Sequence, residues 1–169
     1  MSEGSYRQGE SKSKRKSAIS AVLIGIGIAG LIDIIIFHTI LQWHHTSSHK
    51  IIPNTLESLQ LNILHDGLFL AFSLVITIFG IILLWHSQSS KDKNYFLSYP
   101  RSFIGLVLIG FGGFNTIEGI INHHILQMHH VIEVADPLVF DLTFLAIGGV
   151  TFLALGAILL MSQKVNIRN

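Results

Sequence analysis

Histidine is the residue type in this chain most able to do chemistry, because ten histidines occur among 169 residues and there is no cysteine. Imidazole nitrogens bind iron, copper and zinc, and they exchange protons near neutral pH. The lack of cysteine excludes thiolate zinc sites, iron–sulfur clusters and haem attached through Cys-x-x-Cys-His. Only three methionines are present, so a thioether-rich carrier of Cu(I) is not indicated.

Histidines and carboxylates recur together near one end of the apolar segments, which predicts a transition-metal site for iron, copper or zinc. Residues seven apart share a face of a helix that turns 100° per residue. We therefore expect the centre of the site to consist of His38, His45, His123 and His130. The full set of candidate ligands is His38, His44, His45, His65, Asp66, His123, His124, His129, His130 and Asp141.

Two acids and two glutamines accompany these ligands. Asp33 and Glu118 fall near the middle of their apolar segments, where an isolated carboxylate is costly and should be paired or protonated. We expect both acids, with Gln42 and Gln127, to orient the ligands by hydrogen bonds or to relay protons.

Other interpretations of the same residues stay open. A b-type haem would use His38 and His123 as axial ligands. Histidines at a membrane interface are also stable without any ligand, and Asp66 and Asp141 could simply occupy helix starts, where the helix dipole favours an anion. We expect His49 and His86 to be surface residues, and no catalytic residue is identified.

Apolar residues make up 50% of the chain and charged residues only 12%, which excludes an ordinary soluble enzyme. The apolar residues form four blocks, each longer than the ~20 residues that a helix needs to cross a bilayer. We predict an all-α integral membrane four-helix bundle with spans at residues 18–41, 61–85, 103–127 and 138–161.

The basic residues predict the orientation of the spans. Ten of the eleven lysines and arginines lie before the first block, between the second and third, or after the fourth, and only Lys50 lies on the other side. The positive-inside rule therefore places both termini in the cytoplasm and the cluster of candidate histidine ligands toward the outer face of the plasma membrane, with His86 at the cytoplasmic end of its span. The predicted organisation is a disordered tail, a first hairpin, a cytoplasmic linker, a second hairpin and a cytoplasmic tail, at residues 1–17, 18–88, 89–102, 103–163 and 164–169.

The two hairpins resemble each other in sequence. Val22-Leu23-Ile24-Gly25-x-Gly27 and His38-x-Ile40-Leu41-Gln42-x-His44-His45 each recur 85 residues later. Asp66-x-x-Phe69-Leu70-Ala71 recurs 75 residues later. Shared glycine, glutamine, acid and histidine in one register predict a tandem repeat with a pseudo-twofold axis along the membrane normal.

Three segments have a distinctive order of glycine and acidic residues, and two of them also contain several histidines. They are Gly30-x-x-Asp33-x-x-x-Phe37-His38-x-x-Leu41-Gln42-Trp43-His44-His45, Asp66-Gly67-Leu68-Phe69 and Glu118-Gly119-x-x-x-His123-His124-x-Leu126-x-x-His129. In these segments the chain resembles the predicted membrane protein family called domain of unknown function 2243. The resemblance covers nearly all of the chain outside the N-terminal tail. It implies a four-helix membrane protein and no established activity.

The function that these patterns favour is metal binding in the outer half of the bundle, with a redox or oxygen-linked role. Whether the protein is an enzyme is left open. A non-catalytic subunit of a membrane oxidase or oxygenase, a haem protein and a transporter are the alternatives. The expected partners are the lipid bilayer and either further copies of the chain or other membrane subunits, and nucleic acid is not expected.

Overall fold

The computed structural model describes the backbone of residues 3–88 and 100–166 and the side chains of residues 13–87 and 100–162. Most of the predicted linker at 89–102 and the two chain ends lie outside the described residues. Within these ranges the protein is all-helical. The helices are α1 (Glu3–Asp33), α2 (Leu56–Gln88), α3 (Pro100–Glu118), α4 (Leu138–Phe144) and α5 (Phe152–Asn166).

Among the described residues, four helical stretches are long and apolar enough to cross a membrane, as the sequence predicts. Spans 1 to 4 are Ser13–Ile40, Leu56–Ser87, Pro100–Ile125 and Leu138–Ser162. A helix satisfies its own backbone hydrogen bonds, which is why apolar segments of this length adopt it in lipid. The four-span, all-helical prediction is confirmed.

Spans 1 and 3 form the centre of the bundle, with span 2 against span 1 and span 4 against span 3. In the most apolar 18-residue stretches of spans 1 and 3, 44% and 33% of the residues are buried. In the corresponding stretches of spans 2 and 4, only 11% of the residues are buried. The two central helices touch backbone to backbone. A Cβ at Gly25 would collide with the carbonyl oxygen of Val107, and a Cβ at Gly110 with that of Val22. Glycine is therefore required at this crossing.

The first helix begins earlier than expected. We predicted a disordered tail over 1–17, but α1 is continuous from Glu3. The segment contains no proline to interrupt the helix. Its last part is also tied to span 2, because the Ser13 hydroxyl donates to the Ser87 carbonyl at 2.9 Å and the Ser17 hydroxyl to the Ser87 hydroxyl at 2.8 Å.

In the part of the chain that the structure describes, three π-helical segments interrupt the spans: Ile34–Ile40 follows α1, Gly119–Ile125 follows α3, and Leu145–Thr151 joins α4 to α5. π-Helical turns are rare in proteins as a whole, but those that occur are often found at functional sites. After the first two, Gln42 and Gln127 adopt left-handed backbone conformations with φ of 51° and 49°. A left-handed residue ends a right-handed helix, so the chain turns back toward the bundle at both points.

This termination changes the expected placement of the histidines. The argument from seven-residue spacing treats the helix as continuous through His45 and through His130. The helical segments instead end at Ile40 and Ile125, so that argument does not hold. Span 2 also begins at Leu56 rather than residue 61, which places Asp66 well inside its helix, whereas Asp141 does lie in the first turn of α4.

Candidate metal centre

The two segments that connect the spans on the histidine side, 41–55 and 126–137, bond to each other reciprocally. His44 Nδ1 is 2.9 Å from the carbonyl oxygen of Val131, and His129 Nδ1 is 3.0 Å from that of Thr46. The two rings stack in parallel, with centroids 4.5 Å apart and planes 4° apart. A carbonyl only accepts hydrogen bonds, so Nδ1 carries a proton in both rings, and in the neutral form of each ring Nε2 has the lone pair.

Two deeper histidines come from the π-helical segments, and each lies between two carboxylates. His38 Nδ1 is 2.9 Å from Asp66 Oδ1, and its Nε2 is 3.4 Å from Asp33 Oδ2. His123 has the equivalent surroundings, as its Nδ1 is 3.3 Å from Asp141 Oδ1 and its Nε2 is 3.5 Å from Glu118 Oε1. Each ring therefore has an acid behind it and a second acid in front.

We call six buried residues the inner cluster: Asp33, His38, His44, Glu118, His123 and His129. Within it, the donor atoms of two overlapping groups lie within 4.8 Å of one another. One group is His38, His44 and His129, and the other is Glu118, His123 and His129. All six residues are at most 7% exposed, so water does not hydrate these donors as it would on a surface.

Every residue of the inner cluster has a buried polar atom without a hydrogen-bond partner. These atoms are Asp33 Oδ2, His38 Nε2, His44 Nε2, Glu118 Oε2, His123 Nδ1 and His129 Nε2. An unpaired buried polar group costs about 1–3 kcal/mol, and few native sites tolerate several together. Three of these atoms lie near a carboxylate: His38 Nε2 is 3.4 Å from Asp33, His123 Nδ1 is 3.3 Å from Asp141, and His129 Nε2 is 3.1 Å from Glu118. A bound cation would satisfy the imidazole and carboxylate lone pairs that face the site, and the donor types fit a transition metal.

His44 is held in its neutral form, which also favours metal binding. Burial, and secondarily the positive charge that His129 and His38 can carry, lowers the pKa of His44 to about 2. The ring is therefore neutral at physiological pH, which is the form of imidazole that binds metals.

Asp66 and Asp141 hold the connecting segments in place. Asp66 accepts hydrogen bonds from His45 Nδ1 at 2.6 Å and from the Thr46 amide and hydroxyl at 2.8 Å, besides the bond from His38. Asp141 accepts from His130 Nδ1 at 2.7 Å and from the Val131 amide at 2.9 Å. Both acids are thus behind the inner cluster rather than in it.

The other predicted site residues are distributed differently from our expectation. His45 and His130, which we placed at the centre, bind Asp66 and Asp141 instead. His65 contacts the Ser47 hydroxyl at 2.9 Å, and His124 is exposed and belongs to neither donor group. Gln42 and Gln127 are exposed in the left-handed turns. Of the two acids expected as supporting residues, Glu118 belongs to a donor group, and Asp33 contacts His38 Nε2 at 3.4 Å.

The sequence analysis missed the backbone carbonyls of Thr46 and Val131, which fix the two stacked rings. A carbonyl is present at every residue, so residue type carries no signal for it. The only usable hint is the repeat, because the two acceptors are themselves 85 residues apart.

Two apolar cavities reach the inner cluster from the sides of the bundle. One, of about 370 Å³, lies between spans 1, 3 and 4 and is lined by Asp33, Phe37 and Phe144. The other, of about 560 Å³, lies between spans 1, 2 and 3 and is lined by Glu118 and Phe69. Each cavity thus ends at one acid, and its apolar walls admit uncharged molecules more readily than ions.

Comparison with known proteins identifies the family. A family model described as a predicted membrane protein (DUF2243) matches residues 20–163, a region that contains the whole inner cluster. Neither a search of curated proteins nor a search of solved structures finds a match. Because the matched region covers most of the chain and shares its four-span character, the chain belongs to the predicted membrane protein family DUF2243.

Proposed function

We propose that this protein binds a transition metal in the inner cluster. The observation that carries the proposal is the pair of overlapping buried donor groups. Within each group, one ligand atom from each residue lies within 4.8 Å of the others, and the five residues are His38, His44, Glu118, His123 and His129. The rings are also held as metal-binding histidines usually are, with Nδ1 donating to a carbonyl or facing a carboxylate while Nε2 faces the site.

The donor set narrows the class of metal. Imidazole and carboxylate without sulfur suit iron, copper(II) and zinc. Glu118, His123 and His129 form a two-histidine, one-carboxylate group of the kind that binds non-haem iron(II). His38, His44 and His129 form a three-histidine group, as found around zinc and copper.

The number of ions depends on His129, which belongs to both groups. Its Nδ1 is occupied by the Thr46 carbonyl, so it has one lone pair and binds one ion at a time. Two ions would therefore need His44 to remain with His38, leaving His129 to the Glu118 side.

A redox or oxygen-linked role is the activity that we infer for such a centre. It is supported by the two apolar cavities, because they give a small uncharged molecule such as dioxygen a route from the lipid to Asp33 and Glu118. No residue is assigned a catalytic step.

Haem b is a weaker candidate for this site. The rings of His38, His44, His129 and His123 follow one another with centroid distances of 4.3, 4.5 and 4.8 Å. A porphyrin ligated by His38 and His123 would have to displace the stacked pair between them. A Soret band in the purified protein would nevertheless overturn this preference.

The proposal includes a tandem repeat of two hairpins. It is supported by π-helical segments at Ile34–Ile40 and Gly119–Ile125, by left-handed residues at Gln42 and Gln127, and by the reciprocal bonds of the two connecting segments. Each of these pairs has the 85-residue offset that the sequence predicts.

The proposed orientation places both termini in the cytoplasm and the inner cluster toward the outside of the plasma membrane. The chain has no cysteine, so single cysteines report accessibility cleanly. An impermeant maleimide added to intact cells should label Asn54→Cys, in the exposed first connecting segment, but not Arg101→Cys, at the other end of span 3. The reverse labelling would contradict this orientation.

Elemental analysis tests the metal directly. Untagged protein extracted from native membranes in detergent, without chelators, should contain iron, copper or zinc at about one or two ions per chain. His38→Ala and His123→Ala should lose the metal, whereas His86→Ala, exposed at the opposite end of span 2, should keep it. Full occupancy in both deep variants would refute the ligand assignment.

Metal-free wild-type protein would favour the second candidate, a non-catalytic subunit of a membrane oxidase or oxygenase complex. Spans 2 and 4 have a large exposed apolar surface, which is available to lipid or to another membrane subunit. Co-purification of other subunits at fixed stoichiometry would then be expected.

A further inference from the structure

A second group of histidines lies on the surface above the inner cluster, around a cavity of about 340 Å³. We call it the vestibule and define it by His45, His49, His130 and Glu133. His45, His49 and Glu133 line the cavity together with His44 of the inner cluster. The His130 ring lies 4.9 Å, centroid to centroid, from the His49 ring. The cavity therefore extends from the surface to a residue of the inner cluster.

The three vestibule histidines share one arrangement. Each directs Nδ1 at a carboxylate: His45 at Asp66, His130 at Asp141, and His49 at Glu133, at 2.6, 2.7 and 3.4 Å. In the neutral ring this leaves the lone pair on Nε2, and the carboxylate makes that nitrogen a better ligand. The vestibule thus offers metal-binding nitrogens outside the two buried donor groups.

Exposure decreases stepwise from the surface to the centre. The side chain of His49 is 44% exposed, those of His45 and His130 are 19% and 12% exposed, and the residue His44 is 4% exposed. In each of the pairs His44–His45 and His129–His130, one ring faces the inner cluster and its neighbour in sequence is at the vestibule.

We infer that the vestibule is the entry site through which a divalent metal ion reaches the inner cluster. This inference rests on the proposed metal-binding function. The Glu133 carboxylate attracts the cation, His49 and His130 bind it transiently, and exchange of one imidazole for another passes it through His45 to His44. The two lateral cavities are apolar and therefore disfavour the passage of a charged ion.

Loading kinetics test the inference. Metal-free, full-length, untagged protein in detergent is mixed with Cu²⁺, and a brief pulse of EDTA at each time removes ions that are still exposed. The retained copper measures filling of the inner cluster. In the double variant His49→Ala/Glu133→Gln, copper should fill the inner cluster about tenfold more slowly, because electrostatic steering changes association rates by at least about this factor. The final copper content should equal that of the wild type.

The matched control is His124→Ala/Glu57→Gln, which removes an exposed histidine and an exposed acid outside the vestibule. It should fill at the wild-type rate. Glutamine at 133 keeps an oxygen for the Ser48 hydroxyl, which donates to Glu133 Oε1 at 2.8 Å, so the loop contact is preserved.

The outcomes separate the two proposals. An unchanged rate in the vestibule variant overturns the entry role. A lower final copper content also overturns it, since the residues would then belong to the permanent ligand set. Wild-type protein that retains none of Cu²⁺, Zn²⁺ and Fe²⁺ in this assay instead overturns the metal-binding function, and the entry role with it.

Discussion

Replacing Asp66 with asparagine should weaken metal binding without changing the shape of the side chain. The carboxylate accepts four hydrogen bonds, three at Oδ1 and one at Oδ2. An amide keeps one acceptor oxygen, which is best placed toward the three donors at Oδ1. Its NH₂ group then faces His45 Nδ1, so that histidine has to change its tautomer or lose the bond.

The magnitude follows from the bonds that change. A hydrogen bond to a charged acceptor contributes about 1 kcal/mol more than a neutral one, so the three bonds at Oδ1 lose about 3 kcal/mol together. The neutral amide recovers part of this because it is easier to bury. We expect the metal-free protein to lose about 2 kcal/mol of unfolding free energy. Metal affinity should fall about 10–100-fold, because His38 is no longer oriented by an anion.

Competition with a chelator of known affinity measures the metal affinity, and thermal unfolding of the metal-free protein measures stability. Asp136→Asn is the matched control, since Asp136 is an exposed acid in the second connecting segment. A folded Asp66→Asn protein that binds metal within twofold of wild type would show that Asp66 does not position His38, and the reasoning would be refuted.

Three further predictions concern stability. Gly110→Ala should lower the free energy of unfolding by about 2 kcal/mol, because its Cβ meets the Val22 carbonyl. Gly113→Ala is the control and should change it very little, because the space around its Cβ is open. Equal unfolding curves for the two variants would contradict the crossing geometry. Gln42→Gly should gain about 1 kcal/mol by relieving the left-handed backbone, and a loss in chemical unfolding would mean that the glutamine side chain makes an essential contact. Removing the metal with a chelator should lower the melting temperature, because an ion at 100 times its Kd adds about 2.7 kcal/mol; an unchanged melting temperature in metal-replete and stripped protein would argue against a bound ion.

The two halves of the inner cluster differ in one respect that the sequence already contains. The acid in front of His38 is aspartate and the acid in front of His123 is glutamate. Glutamate is one methylene longer, and Glu118 also comes within 3.1 Å of His129 Nε2. This extra reach explains why the two-histidine, one-carboxylate group forms around Glu118, and it makes the two sides chemically distinct.

The sequence by itself determined the membrane-spanning helices and the chemical character of the site. Apolar runs longer than a bilayer is thick have one economical backbone conformation, so local composition is enough to predict them. Asp33 and Glu118 could also be singled out locally, since an acid inside an apolar run needs a partner.

Only the tertiary structure decided which histidines face one another. The left-handed conformations of Gln42 and Gln127 end the helices early, and helical periodicity then no longer predicts the direction of His44 or His45. Their direction depends instead on the Val131 carbonyl and on Asp66, which come from distant parts of the chain. Such partners are chosen by packing of the whole bundle, and hydropathy and residue spacing contain no record of that choice.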